Sequence, residues 1–245
     1  LLGLLSALVL IPARSAHAAS ACSACPGDLN NNDQVTIDEI LTVVNAALTG
    51  CPPAGPSLSS LLQTGQTACD QGDGTLGACP GSPPDQDGAV GAGIPPNYTD
   101  NGDGTIADKV TGLIWEKLSN DGMIHDWTNT YTWYDAFNVK IAALNTPPCF
   151  ADHCDWRLPN RRELDSLVDT GRAPPAIDPV FNAGCTPGCT VTTCSCTQLM
   201  RSYWSSTTYQ DRPTFAWSVD GNVGIVNAFE KSVVTQYVRA VRGGL

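Results

Sequence analysis

Apolar and polar positions change their rhythm several times along the chain. Residues 1–13 form an almost unbroken apolar run containing Pro12. Ile37, Ile40, Leu41, Val44, Ala47 and Leu48 then recur at helical spacing, with Gly50 as a stop. Further on, the turn residues of TDNGDGT give way to alternating apolar positions up to Trp115, which predicts a hairpin. Trp133, Ala136, Phe137, Ile141 and Leu144 predict one helix. Pro159-Asn160 opens a second, with Leu164, Leu167 and Val168 facing inward and Gly171 as its stop. After Met200 the pattern predicts strands over 203–207, 214–219, 223–229 and 236–241. Helical periodicity does not run throughout, so an all-α bundle is excluded and an α+β domain is expected.

The apolar start ends in small residues with an Ala16-His17-Ala18 cleavage pattern, the form of a secretory leader over 1–18. It is too short to span a bilayer. Without Met or a basic first region, its start reads as truncated. The competing reading, a buried N-terminal helix, fits Pro12 and the Ala-rich tail poorly. Export makes disulfides the default for the 11 Cys. They cluster, which pairs Cys25 with Cys51, Cys69 with Cys79 and Cys149 with Cys154, and leaves the order among Cys185, Cys189, Cys194 and Cys196 open. Those last four have zinc as a competing use. The odd Cys22 is expected to be free, intermolecular or lipidated, since Ala19-Ser20-Ala21-Cys22 loosely resembles a lipoprotein box. A membrane partner is expected only in that last case.

Net charge is −11, and it is uneven. Residues 19–96 carry 8 acids and no Lys or Arg, while 97–245 carry 16 acids against 12 bases. Nucleic acid is excluded as a partner, because no basic excess meets phosphates. Two units with different tasks are expected: a small one over 22–51, a Pro-rich linker over 52–60 and a large domain over 61–245.

The small unit carries GDLNNNDQVTIDEI. An EF-hand loop needs oxygen donors at positions 1, 3, 5, 7, 9 and 12. Asp28, Asn30, Asn32, the Gln34 carbonyl, Thr36 and Glu39 fall there, with Val35 at the apolar position 8. Hard Ca²⁺ suits this oxygen set, so Ca²⁺ is the expected cofactor. Asp33 replaces the usual Gly at position 6. A capped helix alone would explain Thr36 and Glu39, but not the alternation of Asp28, Asn30 and Asn32. The stretch resembles one half of a dockerin or a lone bacterial EF-hand repeat. Dockerins carry two such loops, and one is found here.

In the large domain TGLIWEK, DWRLPNRRELDSLVD, YWSSTTY, FAWSVD and YVRAVRGG follow in order. Together they resemble the C-terminal domain family of the Legionella collagen-like adhesin, and more distantly the formylglycine-generating enzymes. The resemblance implies a C-type-lectin-like fold: two helices, a twisted and mostly antiparallel sheet, and a long loop region carrying ligand contacts. It also implies sulfated-polysaccharide binding at a cell surface, which this acidic domain lacks the basic excess to favour. Within the motifs, Trp115, Trp156, Trp204 and Trp217 are expected in the core. Arg157, Arg239 and Arg242 are expected to pair with Glu116, Glu163 or backbone carbonyls.

Catalysis is not expected. Three His are present, one of them in the leader, and the reactive cysteine pair of the formylglycine-generating enzymes has no counterpart in these motifs. The expected function is an exported, non-catalytic binding protein, extracellular or at the cell surface, with a glycan or protein ligand. A homo-oligomer is compatible with this class. The alternatives are a docking module for a cohesin-bearing complex and an oxidase like the formylglycine-generating enzymes. The ligand residues expected are Tyr209, Asp211 and Arg212 between two strands, with Asp220 and Asn222 at the next turn. They set polar groups beside an aromatic on loops of a rigid scaffold.

Overall fold

The computed structural model describes Ile37 and residues 61–172, 174–198 and 202–244. The leader, the calcium loop with Asp28, Asn30, Asn32, Gln34, Thr36 and Glu39, Cys22, the Cys25–Cys51 pair and the linker lie outside the described residues.

The domain is α+β, and every strand-to-strand ladder in it is antiparallel. A short ribbon, β1 (Cys69–Asp70) with β2 (Leu76–Gly77), comes first and is closed by the Cys69–Cys79 disulfide. A one-turn helix α1 (Asp87–Val90) follows. Next come β3 (Tyr98–Asp100), β4 (Thr105–Asp108) and β5 (Leu113–Glu116) as a meander, and the last strand, β9 (Val241–Gly243), adds beside β5. A separate three-stranded sheet holds β6 (Ser202–Thr208), β7 (Phe215–Asp220) and β8 (Val226–Glu230) in sequence order. The expected single sheet is therefore two larger sheets and a ribbon.

Turn chemistry explains the meander. Asp103 Oδ1 accepts from the Thr105 amide at 3.0 Å, and Gly104 takes a φ of 99°, closing the turn between β3 and β4. Asp108 does the same job for the next turn: its Oδ1 accepts from the amides of Val110 (2.9 Å) and Thr111 (3.2 Å). Unlike a solvated turn residue, Asp108 is buried, and its second oxygen accepts from the Thr111 hydroxyl at 2.6 Å.

Helix α2 runs through Trp133–Asp135, a wide turn with π hydrogen bonding at Ala136–Ile141, and Ala142–Leu144. Thr132 caps it, accepting from the Asp135 amide. Helix α3 (Arg161–Asp165) carries a full capping box: Asn160 Oδ1 accepts from the Glu163 amide at 3.0 Å, and Glu163 Oε2 accepts from the Asn160 amide at 2.7 Å. It stops well before Gly171, yet Leu164 and Leu167 are buried as expected.

The core has two parts, one on each side of the segment 237–241. Alternate residues point opposite ways in extended chain. Tyr237 and Val241 pack with Trp115, Leu164, Phe181 and Val219. Val238 and Ala240 pack with Trp156, Leu158, Trp204 and the inner face of α2. Sequence periodicity predicts a strand over 236–241, but most of this segment forms only isolated bridges, Gln236 to Tyr131 and Tyr237 to Tyr203, and regular pairing begins at Val241. Its amides and carbonyls are shared among several neighbours instead of one ladder.

Among the described residues four disulfides are present: Cys69–Cys79, Cys149–Cys154, Cys185–Cys196 and Cys189–Cys194. The first two are the expected pairs, and the last two resolve the order that spacing left open.

Candidate functional site

The hairpin between β6 and β7 ends in an aromatic and cationic surface. Its turn is closed by the Tyr209 amide donating to the Phe215 carbonyl (2.9 Å) and the Phe215 amide donating to the Arg212 carbonyl (2.8 Å). Tyr209 is thereby set against Trp217, ring centroids 4.9 Å apart. On the same ring, the Arg161 guanidinium stands 5.5 Å from the centroid, delivered by the first residue of α3. The Arg161 amide donates to the Thr207 hydroxyl at 3.0 Å, which ties α3 to β6. Arg212 lies over Phe215 at 5.8 Å. Tyr209, Phe215, Trp217 and Arg161 are half-buried, while Asp211 and Arg212 are exposed.

Arg161 Nε is buried with no hydrogen-bond partner among the described residues. Its side chain also lines a groove of about 650 Å³ along α3, together with Arg162, Asp165 and the stretch 61–64. Aromatic faces accept the apolar C–H faces of sugars or aliphatic side chains, and guanidinium forks donate to hydroxyl, carboxylate or carbonyl oxygens. That combination is suited to recognition.

The five ligand residues expected from sequence fall into two groups. Tyr209, Asp211 and Arg212 share this hairpin end. Asp220 and Asn222 sit at the opposite end of β7, and six residues at ~3.3 Å each separate the ends by roughly 20 Å. Asp220 is committed to its own turn, where Oδ1 accepts from the amides of Asn222 (2.7 Å) and Val223 (3.0 Å). The Asn222 carbonyl accepts from the Ala176 amide at 3.0 Å, which docks the turn on the neighbouring loop. These five residues therefore do not form one surface.

Two members of the hairpin surface, Trp217 and Arg161, escaped the sequence reading, which put Trp217 in the core. The signal lay in the alternation of FAWSVD. Ala216 and Ser218 are the fully buried positions, so the small residues face the interior and Trp217 faces the opposite side.

A second constellation is buried. Glu116 on β5 and Lys140 on α2 are fully enclosed and form an ion pair. Lys140 lies four residues from both Ala136 and Leu144, so the inward face of α2 carries it inward. Lys140 Nζ also donates to the Ile124 carbonyl at 2.8 Å. His125 Nδ1 is 2.6 Å from the same Glu116 oxygen, and Glu116 Oε2 accepts from the Ala240 amide at 2.9 Å. Burial alone pushes the Glu116 carboxyl up, but Lys140 and His125 outweigh it and hold it at about 2. Buried Arg239 donates to the carbonyls of Glu116 (2.8 Å) and Cys196 (2.7 Å), one of the roles expected of it. Arg157 pairs with Glu163 through two bonds of 2.8 Å, also as expected, whereas Arg242 pairs with Asp155 instead. The enclosed Glu116–Lys140 pair binds β5 to α2 and presents no face to a ligand.

The family model of the Lcl C-terminal domain matches residues 104–242. No curated protein matches the chain. Because the family match spans more than half of the 245 residues, the chain belongs to the Lcl C-terminal domain family.

Proposed function

We propose, from that membership, that the chain is an exported, adhesin-like binding protein that acts outside the cell or at its surface without catalysing a reaction. The observation that carries the reading is the Tyr209–Trp217–Arg161 surface, where two rings and a guanidinium lie together half-exposed. Its ligand is an extracellular glycan or a protein segment, with an apolar face on the rings and polar edges on Arg161 and Arg212. Four disulfides support the extracellular assignment, since such bonds persist in oxidising compartments. All eight described cysteines are paired, which supports a binding role over oxidase chemistry that runs on a free thiol. The C-type-lectin-like arrangement belongs to the same proposal: the loop rigidified by the last two disulfides lowers the ordering cost of recognition.

A glycan array on the purified chain tests this. The ligand it identifies should bind Tyr209→Ala and Arg212→Ala roughly tenfold more weakly or worse. Asn222→Ala, at the far end of the sheet, should bind like the parent. Equal binding by the folded Tyr209 and Arg212 variants would remove the site from this hairpin.

The calcium unit is part of the proposal. One Ca²⁺ is held by Asp28, Asn30, Asn32, the Gln34 carbonyl, Thr36 and Glu39, with modest affinity because only Asp28 and Glu39 are charged. Calorimetric titration should give one site per chain, and Glu39→Ala, which removes the bidentate carboxylate, should abolish it. Undiminished binding in that variant would refute the loop.

A further inference from the structure

The four cysteines between Cys185 and Cys196 lie closer together than two disulfides require. Cys196 is bonded to Cys185, yet its sulfur is also 4.0 Å from the sulfurs of both Cys189 and Cys194. The Cys185, Cys189 and Cys196 sulfurs all fall within 4.8 Å of one another, and Cys194 is the bonded partner of Cys189. Four thiolates around a tetrahedral zinc, with Zn–S of about 2.3 Å, stand roughly 3.8 Å apart. Two non-bonded pairs, Cys189–Cys196 and Cys194–Cys196, are thus already near the spacing of ligands on one ion, and rotation of Cys185 and Cys194 closes the rest.

The backbone holds this cluster by bonds that do not involve the sulfurs. The Cys196 amide donates to the Leu118 carbonyl at 2.8 Å, and the Cys196 carbonyl accepts from Arg239 at 2.7 Å. The Cys189 carbonyl accepts from the Asn120 amide at 2.9 Å, and the Ser195 amide donates to the Ala183 carbonyl at 2.8 Å. Ser195 and Thr197 hydroxyls both donate to the Phe181 carbonyl. Opening the two disulfides therefore leaves the four side chains collected, free to reorient by rotation about Cα–Cβ. Cys194 and Cys196 are buried, whereas Cys185 and Cys189 are half-buried, which leaves one side for an ion to enter. Buried Arg239, held on the Cys196 carbonyl, puts a positive charge beside a site that gains negative charge when thiols ionise.

We propose that Cys185, Cys189, Cys194 and Cys196 of the reduced chain form a thiolate site for one thiophilic divalent d¹⁰ ion, Zn²⁺ or Cd²⁺. Disulfide bonding and metal binding are then alternative states of one cluster. Each disulfide takes up two electrons and two protons; with a phosphine as reductant, the phosphine leaves as its oxide with an oxygen from water. Metal binding then displaces the thiol protons to solvent.

The full chain is reduced with an immobilised phosphine, freed of it under anaerobic conditions and titrated with Cd²⁺, following the ultraviolet thiolate-to-metal charge-transfer band. One tightly bound equivalent per chain is expected, absent from the oxidised chain and from the Cys185→Ser/Cys196→Ser variant. Cys69→Ser/Cys79→Ser should retain it. Zn²⁺ should protect these four cysteines from alkylation, mapped by peptide mass, at least tenfold relative to Cys149 and Cys154. Equal alkylation of all cysteines with Zn²⁺ present overturns the site. If reduction unfolds the domain, recovery of its circular dichroism on adding Zn²⁺ supports the site, and failure to recover overturns it. The readouts are independent of any glycan, so the adhesin reading and this site stand or fall separately.

Discussion

Glu116→Gln is expected to destabilise the domain by about 3–5 kcal/mol, the cost of leaving a buried charge without its partner. The substitution keeps the shape of the side chain and removes only the negative charge. Lys140 then keeps the Ile124 carbonyl as its remaining partner in a fully buried position, and His125 loses the carboxylate it contacts. A single amide oxygen cannot replace both carboxylate oxygens, which between them meet Lys140, His125 and the Ala240 amide. Urea unfolding of the two proteins measures the difference. The double variant Glu116→Leu/Lys140→Met should be more stable than Glu116→Gln, because it removes both charges together. If it is less stable, the pair contributes more than the avoidance of an orphan charge.

The same carboxylate gives a pH signature. Its folded pKa is about 2, against 4.5 for the free group. A depressed pKa means that the folded state favours the ionised form. The stabilisation is therefore complete above about 4.5 and is lost as pH falls toward 2, and the gap corresponds to ~3 kcal/mol. Parent stability should fall across that window by this extra amount, and Glu116→Gln should lack the fall.

Trp204→Ala should cost a comparable ~3–5 kcal/mol, because it empties a large, fully enclosed site at the centre of the second core. Trp204→Phe separates packing from hydrogen bonding. The indole Nε1 donates to the Tyr131 carbonyl at 2.8 Å, but that carbonyl also accepts from the Gln236 amide at 3.0 Å. Removing the indole donor leaves no unsatisfied acceptor, so the Phe variant should recover most of the loss. Thermal melts of the three proteins check this; equal destabilisation by Phe and Ala would shift the weight from volume to the hydrogen bond.

Local signals made the strands and helix starts legible. Asn160 and Glu163 write a capping box within four residues, and alternation within each strand announces its two faces. Clustered cysteines gave two pairs for the same reason: partners 5 or 10 residues apart leave little choice. What escaped depends on distant partners. Lys140 shares the helical spacing of Ala136 and Leu144, but what lets a charge sit on that inward face is Glu116, 24 residues earlier, which no local signal announces. Nothing near Asp108 in sequence shows that its turn is covered. Trp217 looked like core because bulk suggests burial, whereas the face given to the interior is the one with Ala216 and Ser218. For the candidate site, Tyr209, Asp211 and Arg212 were legible as a loop between strands. Arg161 was not, because it reaches them from another element across the fold.

The placement of β9 sets the order in which the chain can assemble. Glu116 meets the Ala240 amide across 124 residues, and Arg239 reaches the Glu116 carbonyl across 123. Contacts this remote close large loops before they return any stabilisation, so they slow folding. A ribosome-bound chain that has made β3, β4 and β5 still lacks the strand that covers β5 and the residues that divide the two cores. The domain therefore acquires its native interior only after synthesis has passed Val241.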